Sequence, residues 1–166
     1  MPTEETQLIR RAQCGDRDAF AQLLKRFKQP VYHQALRMVG HAEDAADLTQ
    51  EVFLKVWQGL PSFQGDSTFS TWLYRLTSNA CIDFLRREKR RRGTLSLDDE
   101  EWELASQLPD PAPTPQKALE QRELRQALEA GLAQLSDEHR QVLILRELNG
   151  LSYEEIAQVL SLSPGT

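Results

Sequence analysis

The sequence predicts an all-α protein built as two small helical domains joined by an acidic, proline-rich linker. Apolar residues recur at three- and four-residue spacing along most of the 166 residues, without the alternation of a strand ladder. Capping residues ahead of these runs and Gly or Gly-Pro signals behind them divide the pattern into helices. From Gly93 to Gln116 the composition changes: Asp98-Asp99-Glu100-Glu101 is an acidic run, and Pro109, Pro111, Pro113 and Pro115 alternate with small or polar residues. Alternating prolines favour extended polyproline conformation and resist packing. The expected organisation is therefore a domain over 1–92, a flexible linker over 93–116 and a second domain over 117–166.

The elements follow in order. Thr3 to Cys14 forms a first helix, with Leu8, Ile9 and Ala12 on one side and Gly15 as its stop. Asp16 or Asp18 caps a second, whose stripe is Phe20, Leu23, Leu24, Phe27 and Val31. Pro30 is expected to kink or divide it, because proline removes an N–H and clashes with the preceding turn. Leu36, Met38 and Val39 continue the face to Gly40. Residues 42–58 form another helix, stopped by Gly59-Leu60-Pro61, and the loop 62–68 leads to a long helix from Phe69 to about Arg91. Beyond the linker come helices at 117–134, at 137–148 behind the cap Ser136, and at 152–160. Leu135, Val142, Leu145, Leu148, Leu151, Ile156, Ala157 and Leu160 are expected to make 117–166 a compact three-helix unit.

Composition excludes several classes of function. No apolar run approaches the roughly 18 residues that span a bilayer, and the polar, acidic N-terminus is no signal peptide. No direct membrane insertion is expected. Cys14 and Cys81 are far apart in a chain without export signals and read as buried small side chains rather than a disulfide, so the chain reads as cytoplasmic. His33, His41 and His139 have no metal-ligand spacing. No Gly-rich phosphate loop or nucleophile motif occurs. Neither catalysis nor a cofactor or metal is expected.

Charge is unevenly distributed. Residues 1–92 carry 15 Lys/Arg against 11 Asp/Glu, a net of +4, whereas residues 93–166 carry 5 against 14, a net of −9. The basic half ends in Arg86-Arg87-Glu88-Lys89-Arg90-Arg91-Arg92, six positive charges in seven positions. Such a run suits phosphates, and equally suits a solvated helix end whose dipole favours cations. In the helix before it, Ala45, Leu48, Val52 and Val56 share one face, while Asp44, Asp47, Gln50, Glu51 and Lys55 lie towards another. That polar face is either solvated or a dock for a basic partner. Phe63, Phe69, Trp72, Tyr74 and Asn79 cluster ahead of the arginines. Phe69, Trp72 and Leu76 fall on one helix face and belong at least partly to the core, yet aromatics beside a basic stripe also suit unpaired bases.

The end of the chain carries a further signature. Ser152 and Glu155 have capping-box spacing and open the short helix that contains Tyr153, Glu154 and Ala157. Ser161-Leu162-Ser163 reads as a turn, and Pro164-Gly165-Thr166 as the first step of another helix. Helix, turn and second start describe a helix-turn-helix whose second helix would enter the major groove. The sequence stops there, so truncation inside the motif, with its recognition helix missing, is expected.

These motifs together resemble the extracytoplasmic-function sigma factors, the minimal two-domain branch of the sigma-70 family. The resemblance covers nearly the whole chain: Gly15, Asp16, Ala19 and Phe20; Asp47 to Phe53; Phe63 with Gly65 to Arg75; Asn79 to Arg87; and Leu135 to Ala157. It implies sigma region 2 in the first domain and region 4 in the second. It further implies that Asp47, Leu48, Gln50, Glu51 and Phe53 bind the clamp helices of the largest subunit of core RNA polymerase. Phe63, Phe69, Trp72 and Tyr74 would belong to the promoter-melting segment, and Asn79, Asp83, Arg86, Arg87, Arg90 and Arg91 to −10 recognition. Ser152, Tyr153, Glu154, Ala157, Ser163, Gly165 and Thr166 would belong to the −35 domain. Partners would be core polymerase, promoter DNA and an anti-sigma factor able to hold the chain at a membrane. A stand-alone helix-turn-helix regulator and a helical adaptor without DNA are the alternatives.

Overall fold

A computed structural model describes residues 1–93 and 114–163. Within them the chain forms seven α-helices and no strand: α1 (Glu4–Gln13), α2 (Arg17–Val39), α3 (Ala42–Gly59), α4 (Phe69–Arg92), α5 (Pro115–Gln134), α6 (Asp137–Glu147) and α7 (Tyr153–Leu160), with a 3-10 turn at Leu60–Ser62. Most of the expected linker lies outside the described residues; its last two residues, Pro115 and Gln116, open α5. Residues 164–166, including Gly165 and Thr166, also lie outside them.

Side-chain caps fix the starts of the helices. The Thr3 hydroxyl accepts from the Thr6 N–H, the Thr68 hydroxyl from the Thr71 N–H, and the Ser136 hydroxyl from the His139 N–H. Asp16, rather than Asp18, caps α2, accepting from the N–H groups of residues 18 and 19 at 3.0 Å each. Those bonds, with the Arg11 guanidinium 2.7 Å away, hold its carboxyl below the usual carboxylate range. At Ser152 both halves of the capping box are made, at 3.2 and 2.8 Å. Of the two outcomes expected at Pro30, a kink or a division, the division does not occur, and α2 runs through it. Phe27 and Val31 on either side of it are 8% and 0% exposed, and their burial carries the helix across the missing N–H.

The main core lies between α1, α2, α3 and α4. Leu23, Val31, Ala35, Ala45, Val52, Val56, Leu60, Leu73 and Cys81 are almost completely removed from solvent. The stripe expected on α3 is thus the buried one. Gln34 crosses this core, its amide donating to Ser78 Oγ at 2.9 Å and to the Tyr74 carbonyl at 3.4 Å, which ties α2 to α4. Phe69 is 3% exposed and stacks edge-on with Phe27 at 5.3 Å.

The second half differs from the compact three-helix unit expected from its periodicity. Only Leu132 of α5 is buried, and Leu119, Leu124, Leu128 and Leu148 are exposed. The small cluster of Leu145, Leu151, Ile156 and Val159 is completed by Tyr74 of α4. In return Ile144 of α6 enters the main core. The halves therefore share side chains, with α7 on α4 and α6 on α2. Arg140, 5% exposed, fastens this contact: it donates to the carbonyls of Leu132 (2.9 Å), Leu135 (3.1 Å) and Met38 (3.0 Å). Periodicity shows that a face is apolar but not which apolar face covers it.

Two outcomes follow from burial. Leu73→Ala should lower the unfolding free energy by about 3 kcal/mol, while Leu54→Ala, at a side chain 63% exposed, should change it by less than about 0.5 kcal/mol; urea titration compares them. Burial also pushes the Cys81 thiol up to about 12, whereas Cys14, at the end of α1, is exposed, contrary to the burial expected of both. A thiol reagent at neutral pH should therefore titrate Cys14 in the native protein, and Cys81 only after denaturation.

Candidate polymerase and nucleic-acid interfaces

The polar side of α3 is a mixed surface. Asp47 and Gln50 are exposed, and Glu51 is half-buried and paired with Lys55 one turn on at 2.7 Å. Leu48 and Phe53 are 3% and 6% exposed and support the helix from below. Beside the acidic ridge runs an apolar groove lined by Phe20, Leu24, Lys28, Gln50, Phe53, Leu54 and Trp57. Phe20 and Trp57 meet edge-to-face at 4.8 Å and form one of its walls. Sequence reasoning missed Phe20, Leu54 and Trp57 as site residues. The signal was present in Leu54, which lies four residues after Gln50 and three after Glu51, an apolar side chain on the polar face.

The second site is assembled along α4 and the loop before it. Phe63 and Trp72 pack with ring centroids 4.9 Å apart, and Phe69 closes the cluster at 6.0 and 5.8 Å from them. The Gln13 amide donates to the carbonyls of Leu60 (3.2 Å) and Phe63 (2.8 Å), so α1 holds the base of the loop. Gly65 turns the loop with a φ of +80°, a conformation costly for other residues. The loop, Trp72 and Arg75 surround a polar pocket that Gln158 of α7 also lines. Trp72 thus packs against the core and also lines the pocket.

Further along α4, Asn79, Asp83, Arg86, Arg87, Arg90 and Arg91 are exposed. Asn79, Asp83 and Arg86 form one wall of a second pocket, opposite Glu138, Gln141 and Leu160. Tyr74 does not join this surface. It is 7% exposed among the α6 and α7 side chains, and burial raises its hydroxyl pKa while a hydrogen bond from Asn149 pulls it down. Lys89 extends away to Asp137 of α6 at 2.7 Å.

On α7, Tyr153 is exposed beneath the Arg146 guanidinium, 4.9 Å from the ring centre. Hydrogen bonds at the helix start hold the Glu154 carboxyl below its usual range. Ala157 is half-buried and Ser163 exposed. Ser161, with a φ of +55°, ends the helix in a left-handed turn. Among the described residues no group of His, Cys, Asp and Glu could hold a metal, and no helix is long and apolar enough to cross a membrane.

The profile of Sigma-70 region 2 matches residues 23–91, and that of Sigma-70, region 4, matches residues 125–166. The chain belongs to the sigma-70 family. This sigma factor is 36% identical over 162 residues to the ECF RNA polymerase sigma-E factor of Escherichia coli K12, covering 96% of the chain and 84% of that relative. Its extracytoplasmic-function character therefore stands as expected. Two solved structures resemble its fold. CnrH in complex with the cytosolic domain of CnrY has a TM-score of 0.65 at 25% identity, covering 94% of this chain and 82% of that one. An engineered region 2 of sigmaE in complex with GTAAAA has a TM-score of 0.51 at 36% identity, covering 57% of this chain and 96% of that one. The expected truncation inside the helix-turn-helix is not borne out by these matches.

Proposed function

We propose that this sigma factor docks on core RNA polymerase through the α3 ridge and groove and reads the −10 element along α4. Promoter-specific transcription initiation is the role that the family membership carries. The observation that carries the residue-level reading is the layout of α4. One 24-residue helix starts in the Phe63–Trp72 wall, continues through exposed Asn79 and ends in a basic run. A base freed from its stack presents an aromatic face and a pairing edge; stacking surfaces, an amide and guanidinium groups answer these and the phosphates in turn. The solved region 2 in complex with GTAAAA supports the assignment. Arg75 beside the loop pocket suits an extruded nucleotide, whose unstacking is the cost of such recognition.

On α3, Asp47 and Glu51 supply charge and Leu54 with Trp57 supplies apolar contact, a combination suited to a basic, amphipathic partner helix. The second half, with its capped α7, is assigned to the −35 element. The chain performs no catalysis in this scheme, because nucleotide polymerisation belongs to the polymerase. It works in the cytoplasm, and an anti-sigma factor that covers these surfaces would control it and could hold it at the membrane. The complex of CnrH with the cytosolic domain of CnrY supports the binding of a second protein by this fold.

Reversing charge at Asp47 and Glu51 together should weaken core-polymerase binding by about 2–5 kcal/mol if both are desolvated in the complex. Leu54→Ala should weaken it without altering the melting temperature; unchanged affinities in a titration would remove α3 from the interface. For DNA, Asn79→Ala should reduce discrimination among single-stranded −10-like oligonucleotides. Replacing Arg90 and Arg91 should weaken every sequence and reduce the salt slope by about 1.4. Identical effects of the two changes across an oligonucleotide panel would exclude base readout at Asn79.

A further inference from the structure

We infer that Gln13, at the end of α1, is a positioning residue for base readout at the loop pocket: its amide sets the aromatic wall against which an unstacked base is read. The inference rests on assigning that pocket to an extruded nucleotide. The reach of one side chain motivates it. Gln13 is half-buried and donates to the carbonyls of Leu60 at 3.2 Å and Phe63 at 2.8 Å, across 47 and 50 residues of chain. A carboxamide nitrogen carries two N–H donors, one for each carbonyl. Those carbonyls stand at the two ends of the 3-10 turn, which is itself closed by the Phe63 N–H donating to the Leu60 carbonyl at 3.1 Å.

The turn transmits this hold to the pocket. Leu60 is fully buried, so the core fixes one end of the turn, while Phe63 at the other end is only half-buried. Bonds from Ser62 to the Gly59 carbonyl (2.8 Å) and from Ser67 to the Thr68 carbonyl (3.3 Å) shape the loop locally without tying it to a distant helix. The Gln13 bond to the Phe63 carbonyl therefore fixes where the Phe63 ring meets Trp72, 4.9 Å away. Arg75 lines the same pocket, and its Nε is buried without a partner, a donor left for a ligand. The pocket holds about 310 Å³, at the small end of ligand sites. Binding geometry of this kind has to be held to about 0.5 Å by supporting hydrogen bonds. With the Phe63 carbonyl released to water, the stacking wall and the Arg75 donor no longer act on one base position. Phosphate contacts at the far end of α4 are untouched. Gln13 thus acts on which base is accepted, and not on how strongly DNA is attracted.

The test uses the full chain assembled with core polymerase. Selection from a randomised pool of single-stranded decamers gives its preferred sequence, and abasic replacement along that sequence finds the bases that are read. The pocket base is the one whose removal matters less in Arg75→Ala. Gln13→Met keeps the length and apolar stem of the side chain and removes both donors. It should lower discrimination among bases at that position by about fivefold or more, with the salt slope and the cooperative melt unchanged. Gln13→Glu, whose ionised carboxylate can only accept, should do the same, and it carries the comparison if Gln13→Met loses its cooperative melt. Gln13→Lys supplies an ammonium donor and should keep the discrimination that the other two lose. Discrimination is a ratio within one variant, so the added charge of either substitution cancels. Undiminished discrimination in a folded Gln13→Met or Gln13→Glu would overturn the positioning role and leave the pocket assignment standing. An equal loss in Gln13→Lys would also overturn it, because hydrogen-bond donation would then not be what matters. If no position passes the Arg75→Ala comparison, the pocket assignment itself falls, and this inference with it.

Discussion

A guanidinium taken out of water must find acceptors, and Arg140 finds them on three segments at once. Burial lowers its pKa, and Asp137 at 3.5 Å opposes that shift. Three of its hydrogen bonds go to backbone carbonyls near the end of α5, at the start of the turn into α6, and near the end of α2. Helix ends have carbonyls to spare, so the arrangement satisfies both partners. The placement of α6, and through it of α7, depends on that satisfaction. A lysine, with a point charge and no planar fork, could not span the same acceptors.

The long helix α4 is organised by a different constraint. Phe69, Leu73, Thr77, Ala80 and Cys81 face the main core. Tyr74 and Ser78 meet the second half and Gln34. Asn79, Asp83, Arg86 and Arg90 recur at three- and four-residue spacing on the exposed side. Two sides of one cylinder are therefore committed to protein neighbours, and the third is left to solvent. Small residues at 77, 78 and 80 let the surrounding helices approach closely, and the polar ones among them are satisfied locally, as when Thr77 donates to the Leu73 carbonyl at 2.9 Å. The cations follow only where the core ends, where the helix dipole and solvent both favour them.

Local chemistry was legible in the sequence and long-range pairing was not. The caps at Ser136 and Ser152, the stops at Gly15 and Gly40, and the α3 stripe all depend on residues within one or two turns, and each stands where the pattern placed it. At Pro30 the local penalty did not divide the helix, because burial of its neighbours holds α2 together. Tyr74 and Ile144 could not be assigned to the opposite halves, since an apolar residue carries no address for the face it meets. Leu54 shows the intermediate case: its exposure on a polar ridge was readable from spacing alone, but the groove beside it required α2 to supply Phe20 and Leu24.

The tie from Gln13 to the loop carriers at Leu60 and Phe63 bears on where a working fragment can begin. The region 2 match starts at residue 23, after this glutamine and the whole of α1. A fragment cut to that boundary keeps Phe63 and Trp72 but loses both side-chain bonds that set the loop's base, along with Leu8 and Ala12 from the core. The unit of sequence similarity is thus smaller than the unit of mechanical support. Transplanting the loop and α4 into another protein would carry the lettering of the site without the bracket that steadies it.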